Sequence, residues 1–264
     1  MKVYNKNSNI MCYKQNVFRV MDNFFHNLPK EYSKNYYKNL DTLSIIRTNN
    51  INNGINTGLY DADNNIIYYV DNNTIGHELF HVASNDMDKK IMGIDEYDSE
   101  PSALLEGMTE LLFIKTYNIK DKHVYNFEVM VSEVLSQIPR FFQYYFIPSY
   151  DKFINIFNNP DTIKRLEDNL NIYRDISDYY LTMIYLDGIN AKIDNKLRIE
   201  LICSIEEVIN CLIQIGYENK DKVNLNDYLS NLDRLLKKDD IKSLFSIFYD
   251  DYYNYAYKKI KKVS

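Results

Sequence analysis

Tryptophan is absent from this chain of 264 residues, and cysteine, histidine, proline and glycine number only three, four, five and seven. The missing tryptophan carries no chemical message. The cysteines do: Cys12, Cys203 and Cys211 are an odd, scattered set, which excludes a paired disulfide framework. Cys203 and Cys211 fall on one predicted helix, more than ~10 Å apart at ~1.5 Å rise per residue, too far to bridge. None has a metal-ligand neighbour in sequence, so all three read as structural thiols in a reducing compartment. There is no linker rich in proline, glycine or serine and no internal repeat, which leaves domain boundaries soft.

Long apolar runs are missing too. Nothing approaches the ~18 residues that span a bilayer, and "FFQYYFI" (Phe141–Ile147) is too short. The start, "MKVYNKNSNIMCYKQN", lacks the continuous apolar core of a secretory signal. The expectation is a cytoplasmic protein with no membrane partner. A net charge of −6 and a pI near 5.3 argue against nucleic acid as a partner. What is present, 45% apolar and 26% charged residues, is the balance of a globular protein able to bury a large core.

The first half reads as mixed. Val17, Phe18, Met21, Phe24, Phe25 and Leu28 recur at helical spacing over Gln15–Leu28, and Pro29 closes that helix. "TLSIIRT" (Thr42–Thr48) has the β-branched content of a strand. After the turn at Asn49–Asn53, Asn56–Val70 predicts two strands joined at Asp61–Asn65. Asn73 or Thr74 then caps a helix with an apolar stripe at Ile75, Leu79, Val82 and Ala83. A polar, acidic connection follows from Asn85 to Asp98, and Ser99–Asn118 predicts another helix with Ser99 as cap and Pro101 in its first turn. From Tyr125 onward every segment reads helical, with breaks near Pro139, Pro148, Pro160, Gly188 and Gly216. These patterns predict two parts, a mixed core over residues 1–124 and an all-α lobe over 125–264.

The chemistry concentrates in "TIGHELFHVAS" (Thr74–Ser84), which holds two of the four histidines with a glutamate between them. Residues four apart share one face of a helix, so His77 and His81 can bind one metal ion through neutral ring nitrogens. Glu78 lies about 100° further round, placed to reach a water at the metal without ligating it. A catalytic zinc ion needs a third protein ligand and an open position. Glu106 in "LLEGMTELLF" supplies a candidate, and Glu110 follows one turn later. Their helix is broadly apolar, and two glutamates on a buried helix need something positive. A metal on Glu106 would compensate one. Glu110 could accept a hydrogen bond from the non-ligating nitrogen of His77 or His81. A lone HExxH also suits an ordinary helix with satisfied histidines; the second segment makes that bland reading the weaker one.

"HELFH" followed by "EGMTE" resembles the gluzincin branch of the zincin metallopeptidases, over about Thr57 to Glu110. The metzincin pattern is excluded, because Ser84 and Met87 stand where it needs a glycine and a third histidine. The element order looks like that of the minigluzincins with helical mass added. The resemblance implies an α+β, zincin-like fold: a small mixed or antiparallel sheet and an active-site helix above an all-α lower lobe, with a cleft between. It implies one zinc ion held by His77, His81 and Glu106, Glu78 as general base, Glu110 as the outer partner, and peptide hydrolysis of an endopeptidase kind on a peptide or protein substrate. It also assigns Asn56–Tyr60, with Gly58, Leu59 and Tyr60, as the edge strand that pairs with substrate, Gly58 allowing close approach. An oxyanion donor is expected from Tyr117, His123 or Tyr125, with Tyr125 preferred. His26, beside Phe24 and Phe25, reads as structural, and "YDDYYNYAYKKIKK" (Tyr249–Lys262) as a last amphipathic helix. The competing reading is a non-enzymatic helical module that binds a protein partner and carries a structural or vestigial zinc site.

Overall fold

The computed structural model describes residues 2–5, 10–51, 57–96, 101–119, 125–187, 194–239 and 241. The chain is mixed α and β, mostly helical, with small sheets. In order it forms β1 (Lys2–Asn5), α1 (Ile10–Asn27), α2 (Lys34–Leu40), β2 (Ser44–Arg47), β3 (Gly58–Asp61), β4 (Ile66–Tyr69), α3 (Ile75–Ser84), β5 (Asn85–Asp86), β6 (Ile91–Met92) and β7 (Asp95–Glu96). Then come α4 (Ala103–Tyr117), α5 (Asn126–Leu135), α6 (Gln143–Phe146), α7 (Tyr150–Ile154), α8 (Pro160–Asp187), α9 (Asn195–Glu218) and α10 (Leu225–Leu236). No described helix is long and apolar enough to cross a membrane.

Contacts divide the chain into two compact units that interleave in sequence, where the sequence reading places one boundary after residue 124. The first comprises Met1–Pro101, Thr109–Lys120 and Phe142–Tyr150; the second comprises Ser102–Met108, Asp121–Phe141 and Asp151–Ser264. Helix α4 contributes to both.

In the first unit a four-stranded sheet has the order β1-β2-β4-β3. β2 runs parallel to β1 and β4, and β3 closes an antiparallel hairpin with β4 in the register Gly58↔Tyr69 to Asp61↔Ile66. The hairpin turn is held by Asn64 N–H donating to Asp61 Oδ1 at 3.0 Å, and Asn65 takes the left-handed conformation (φ 53°) that asparagine tolerates. Two elements depart from expectation. β1 adds a parallel neighbour that pattern reading did not contain, and the polar stretch after α3 folds into the small sheet β5-β6-β7. Helix α1 buries Val17, Met21, Phe24 and Leu28, but Phe18 and Phe25 are largely exposed. A stripe of spacing three and four uses one face only.

Helix α3 is buried along its whole length, not on one stripe. Thr74 stands at its N-cap, one of the two positions expected, but makes no side-chain capping bond; the 3₁₀ turn Asn72–Thr74 just before it is capped by Asp71, whose side chain accepts from Asn73 N–H. Thr74 instead donates its hydroxyl to the carbonyls of Asp71 (2.7 Å) and Thr57 (3.1 Å), joining the helix entry to β3. At the far end, Asn39 Nδ2 donates to Val82 O at 2.9 Å and to Asn85 O at 2.8 Å. Val82 O also accepts the backbone N–H of Asn85, so the Asn39 amide reinforces the closing turn of the helix. Asn85 donates to Tyr60 Oη (2.6 Å), and Tyr60 donates to Asn65 Oδ1 (2.9 Å). A buried amide network thus holds the C-terminal end of the helix that carries the histidines, and the Thr74 hydroxyl holds its entry.

The second unit is helical. α8 and α9 pack along each other, and α5 and α10 pack on α9. Pro160 opens α8, where its missing N–H costs nothing. Gly188 lies outside the described residues. The break expected near Gly216 comes two residues later, where α9 ends at Glu218, and a Cβ at Gly216 would lie 2.6 Å from Tyr228 Cδ1. Tyr228 is buried and its hydroxyl donates to Leu212 O at 3.0 Å, so the ring has little room to yield. Gly216→Ala is therefore expected to destabilise the protein by about 1–3 kcal/mol through overpacking, read from urea unfolding.

Candidate metal centre

Helix geometry alone sets the first two donors. His77 and His81, one turn apart on α3, bring their Nε2 atoms to 3.3 Å with the rings inclined at 62°. Helix α4 supplies the third: ligand atoms of His77, His81 and Glu106 all lie within 4.8 Å of one another. All three side chains are buried. Two nitrogens each ~2.0–2.1 Å from a tetrahedral ion would stand about 3.3–3.4 Å apart, so the observed separation fits donors directed at a shared cation. This His/His/Glu group could hold a metal ion.

Glu110, one turn beyond Glu106, places Oε2 2.7 Å from His77 Nδ1. A carboxylate accepts, so His77 carries its hydrogen on Nδ1 and presents a lone pair on Nε2. The tautomer needed for ligation is therefore the one this contact favours. On the same helix Thr109 shares a 2.9 Å hydrogen bond with Tyr145 inside the first unit.

Helix α4 is seated by its neighbours. Ser102 Oγ accepts from Leu105 N–H at 3.2 Å, and Asn171 Oδ1 accepts from Ala103 N–H at 2.8 Å. Ser102 takes the capping place expected of Ser99, which lies outside the described residues, and Pro101 precedes the helix. A Cβ at Gly107 would lie 2.4 Å from the backbone oxygen of Glu128, and one at Gly76 would lie 2.6 Å from Phe113 Cε2. These glycines let α5 and α3 approach α4 beside Glu106 and His77. Sequence reasoning missed both, although each stands next to a predicted ligand in "GHELFH" and "EGMTE". Burial pushes the Glu128 carboxyl up to about 7; Asp178 and Glu106 add to this, and Arg174 opposes it. Glu128 was not anticipated, because nothing in its local sequence marks it as buried.

Glu78 is buried and sits against the sheet: its Oε1 would be 2.6 Å from a Cβ on Gly58. Gly58, Leu59 and Tyr60 lie on β3, the end strand of the order, and the Tyr60 side chain turns into the amide network. The space on the Cβ side of Gly58 is thus taken by Glu78 and Thr74.

Tyr125 immediately precedes α5, partly buried, its carbonyl accepting from Val129 N–H at 2.8 Å. Tyr117 packs on Gly76 and Phe113, its hydroxyl is buried without a hydrogen-bond partner, and burial raises its pKa well above the usual value. His26 is exposed on α1, one turn from the Asp22 carbonyl at 2.7 Å, so it is a surface residue and not part of the core. His123, Glu100 and Tyr249–Lys262 lie outside the described residues. Cys203 is exposed and Cys211 buried, both as free thiols, and Arg165 Nε donates to Cys211 Sγ at 3.3 Å. Comparison with family models, with curated proteins and with solved structures finds no match to this chain.

Proposed function

We propose that this chain is a zinc-dependent peptidase of gluzincin type, with His77, His81 and Glu106 as the metal ligands and Glu78 as the general base. The observation that carries the reading is the pair of Nε2 atoms 3.3 Å apart with Glu106 beside them, next to a buried glutamate that is not part of the ligand group. A structural zinc site closes with a fourth protein ligand, whereas a catalytic one keeps a position open. Among the described residues the cluster has three members.

When bound, zinc supplies Lewis-acid polarisation of a carbonyl and acidifies water. The chain's own groups do the rest. Glu78 accepts a proton at its carboxylate and returns it to the leaving amine. Glu110 keeps the hydrogen of His77 on Nδ1. Strand β3 offers backbone to an extended peptide: Thr57 O accepts from Val70 N–H at 2.8 Å, so Gly58, the next residue, turns its N–H and C=O away from β4. Tyr125 remains our candidate for the oxyanion donor.

The purified protein is expected to contain about one zinc per chain and to cleave members of a mixed peptide library. Chelation should abolish cleavage, and stoichiometric zinc should restore it. Folded protein that binds no zinc would remove the metal centre. Zinc without cleavage of any peptide or protein offered would favour the non-enzymatic reading.

A further inference from the structure

Glycine on an edge strand is ordinarily a place where something approaches the backbone closely. At Gly58 the approaching group is inside the molecule. A Cβ there would lie 2.6 Å from Glu78 Oε1 and 2.9 Å from both Cβ and Oγ1 of Thr74. Such separations are far inside van der Waals contact, so any side chain at this position must displace one group or the other. Thr74 cannot yield easily, because its hydroxyl is bonded to the carbonyls of Asp71 and Thr57, and Thr57 is in turn bonded to Val70. Glu78 Oε1 is the far end of a flexible side chain, and it is the group that would move.

We propose that Gly58 is a positioning residue whose bare backbone seats the Glu78 carboxylate against β3. The strand that offers backbone to an extended peptide then also sets where the proton acceptor stands, so the acid and the paired chain share one reference. Thr74 fixes the spacing between strand and helix, and the missing side chain at residue 58 leaves a slot only as deep as a carboxylate. What the carboxylate does with a proton rests on the peptidase reading; that Gly58 seats it rests on the packing alone.

The test uses the full chain loaded with one zinc ion and acetohydroxamic acid as the probe. A hydroxamic acid binds a metal through two oxygens after releasing a proton, which an adjacent carboxylate can hold. Wild type, Glu78→Gln and Gly58→Ala are compared for zinc content and hydroxamate affinity by calorimetry. Equal zinc in all three is expected, with affinity reduced about tenfold in both variants by loss of a charge-assisted hydrogen bond. Gly216→Ala, destabilised elsewhere, should bind like wild type. On any peptide that wild type cleaves, Gly58→Ala should lower kcat with KM little changed. Wild-type hydroxamate affinity in Gly58→Ala alongside a weakened Glu78→Gln would overturn the proposal. If Glu78→Gln itself binds like wild type, the general-base reading fails and Gly58 is judged by melting temperature. Gly58→Ala should then cost less in a Glu78→Ala background than in wild type, and equal losses in both backgrounds would dismiss the seating. The same pair of melts decides the matter if Gly58→Ala folds poorly.

Discussion

Glu78→Gln is expected to lower kcat/KM for peptide cleavage by about 10²–10⁴-fold while leaving zinc content at the wild-type level. The substitution keeps the shape of the side chain and removes its ability to take a proton. His77, His81 and Glu106 are untouched, and neither the Asn39 amide bonds at the end of α3 nor the Thr74 hydroxyl bonds at its start involve residue 78. A loss of zinc together with activity would mean that Glu78 contributes to holding the metal. Unchanged cleavage would dismiss it as the base. The measurement is steady-state kinetics on the best library peptide, paired with metal analysis of the same preparations.

Glu106→Gln should separate metal binding from folding. Removing the only anionic member of the ligand group is expected to weaken zinc affinity by more than the ~10–100-fold typical of losing an outer partner. Adding zinc should raise the wild-type Tm and move the variant much less, because stabilisation by a ligand follows its affinity for the folded state. Melting curves with and without zinc give both shifts. A variant that binds zinc as well as wild type would show that Glu106 is not a ligand.

Much of the candidate site was legible because its parts are local. Four residues of helix separate His77 from His81, and no tertiary information is needed to know that they share a face. Glu106 and Glu110 are related in the same way on α4. The pairing of those two helices was inferable from cost, since buried glutamates and buried histidines need one another. The strands β2, β3 and β4 were legible from β-branched alternation and the asparagine-rich turn. By contrast, β1, β5, β6 and β7 were not, because short strands owe their pairing to distant neighbours. The N-cap position of α3 at Thr74 was legible, but the 3₁₀ turn that leads into it, capped by Asp71, was not. The break expected near Gly216 falls just after it, at Asn219, while Gly216 itself lies within α9 in close contact with Tyr228.

Sequence by itself determined which residue types meet along a helix: two imidazoles one turn apart with a carboxylate between them, and two carboxylates one turn apart on an apolar helix. Only the tertiary structure decided what each of those groups rests against. It put Glu110 on His77 Nδ1, Glu78 on the bare backbone of Gly58, and the glycines at 76 and 107 where helices come closest. The reason is physical. Spacing along a helix follows from the repeat of the backbone, whereas the room beside a side chain follows from how segments far apart in the chain pack together.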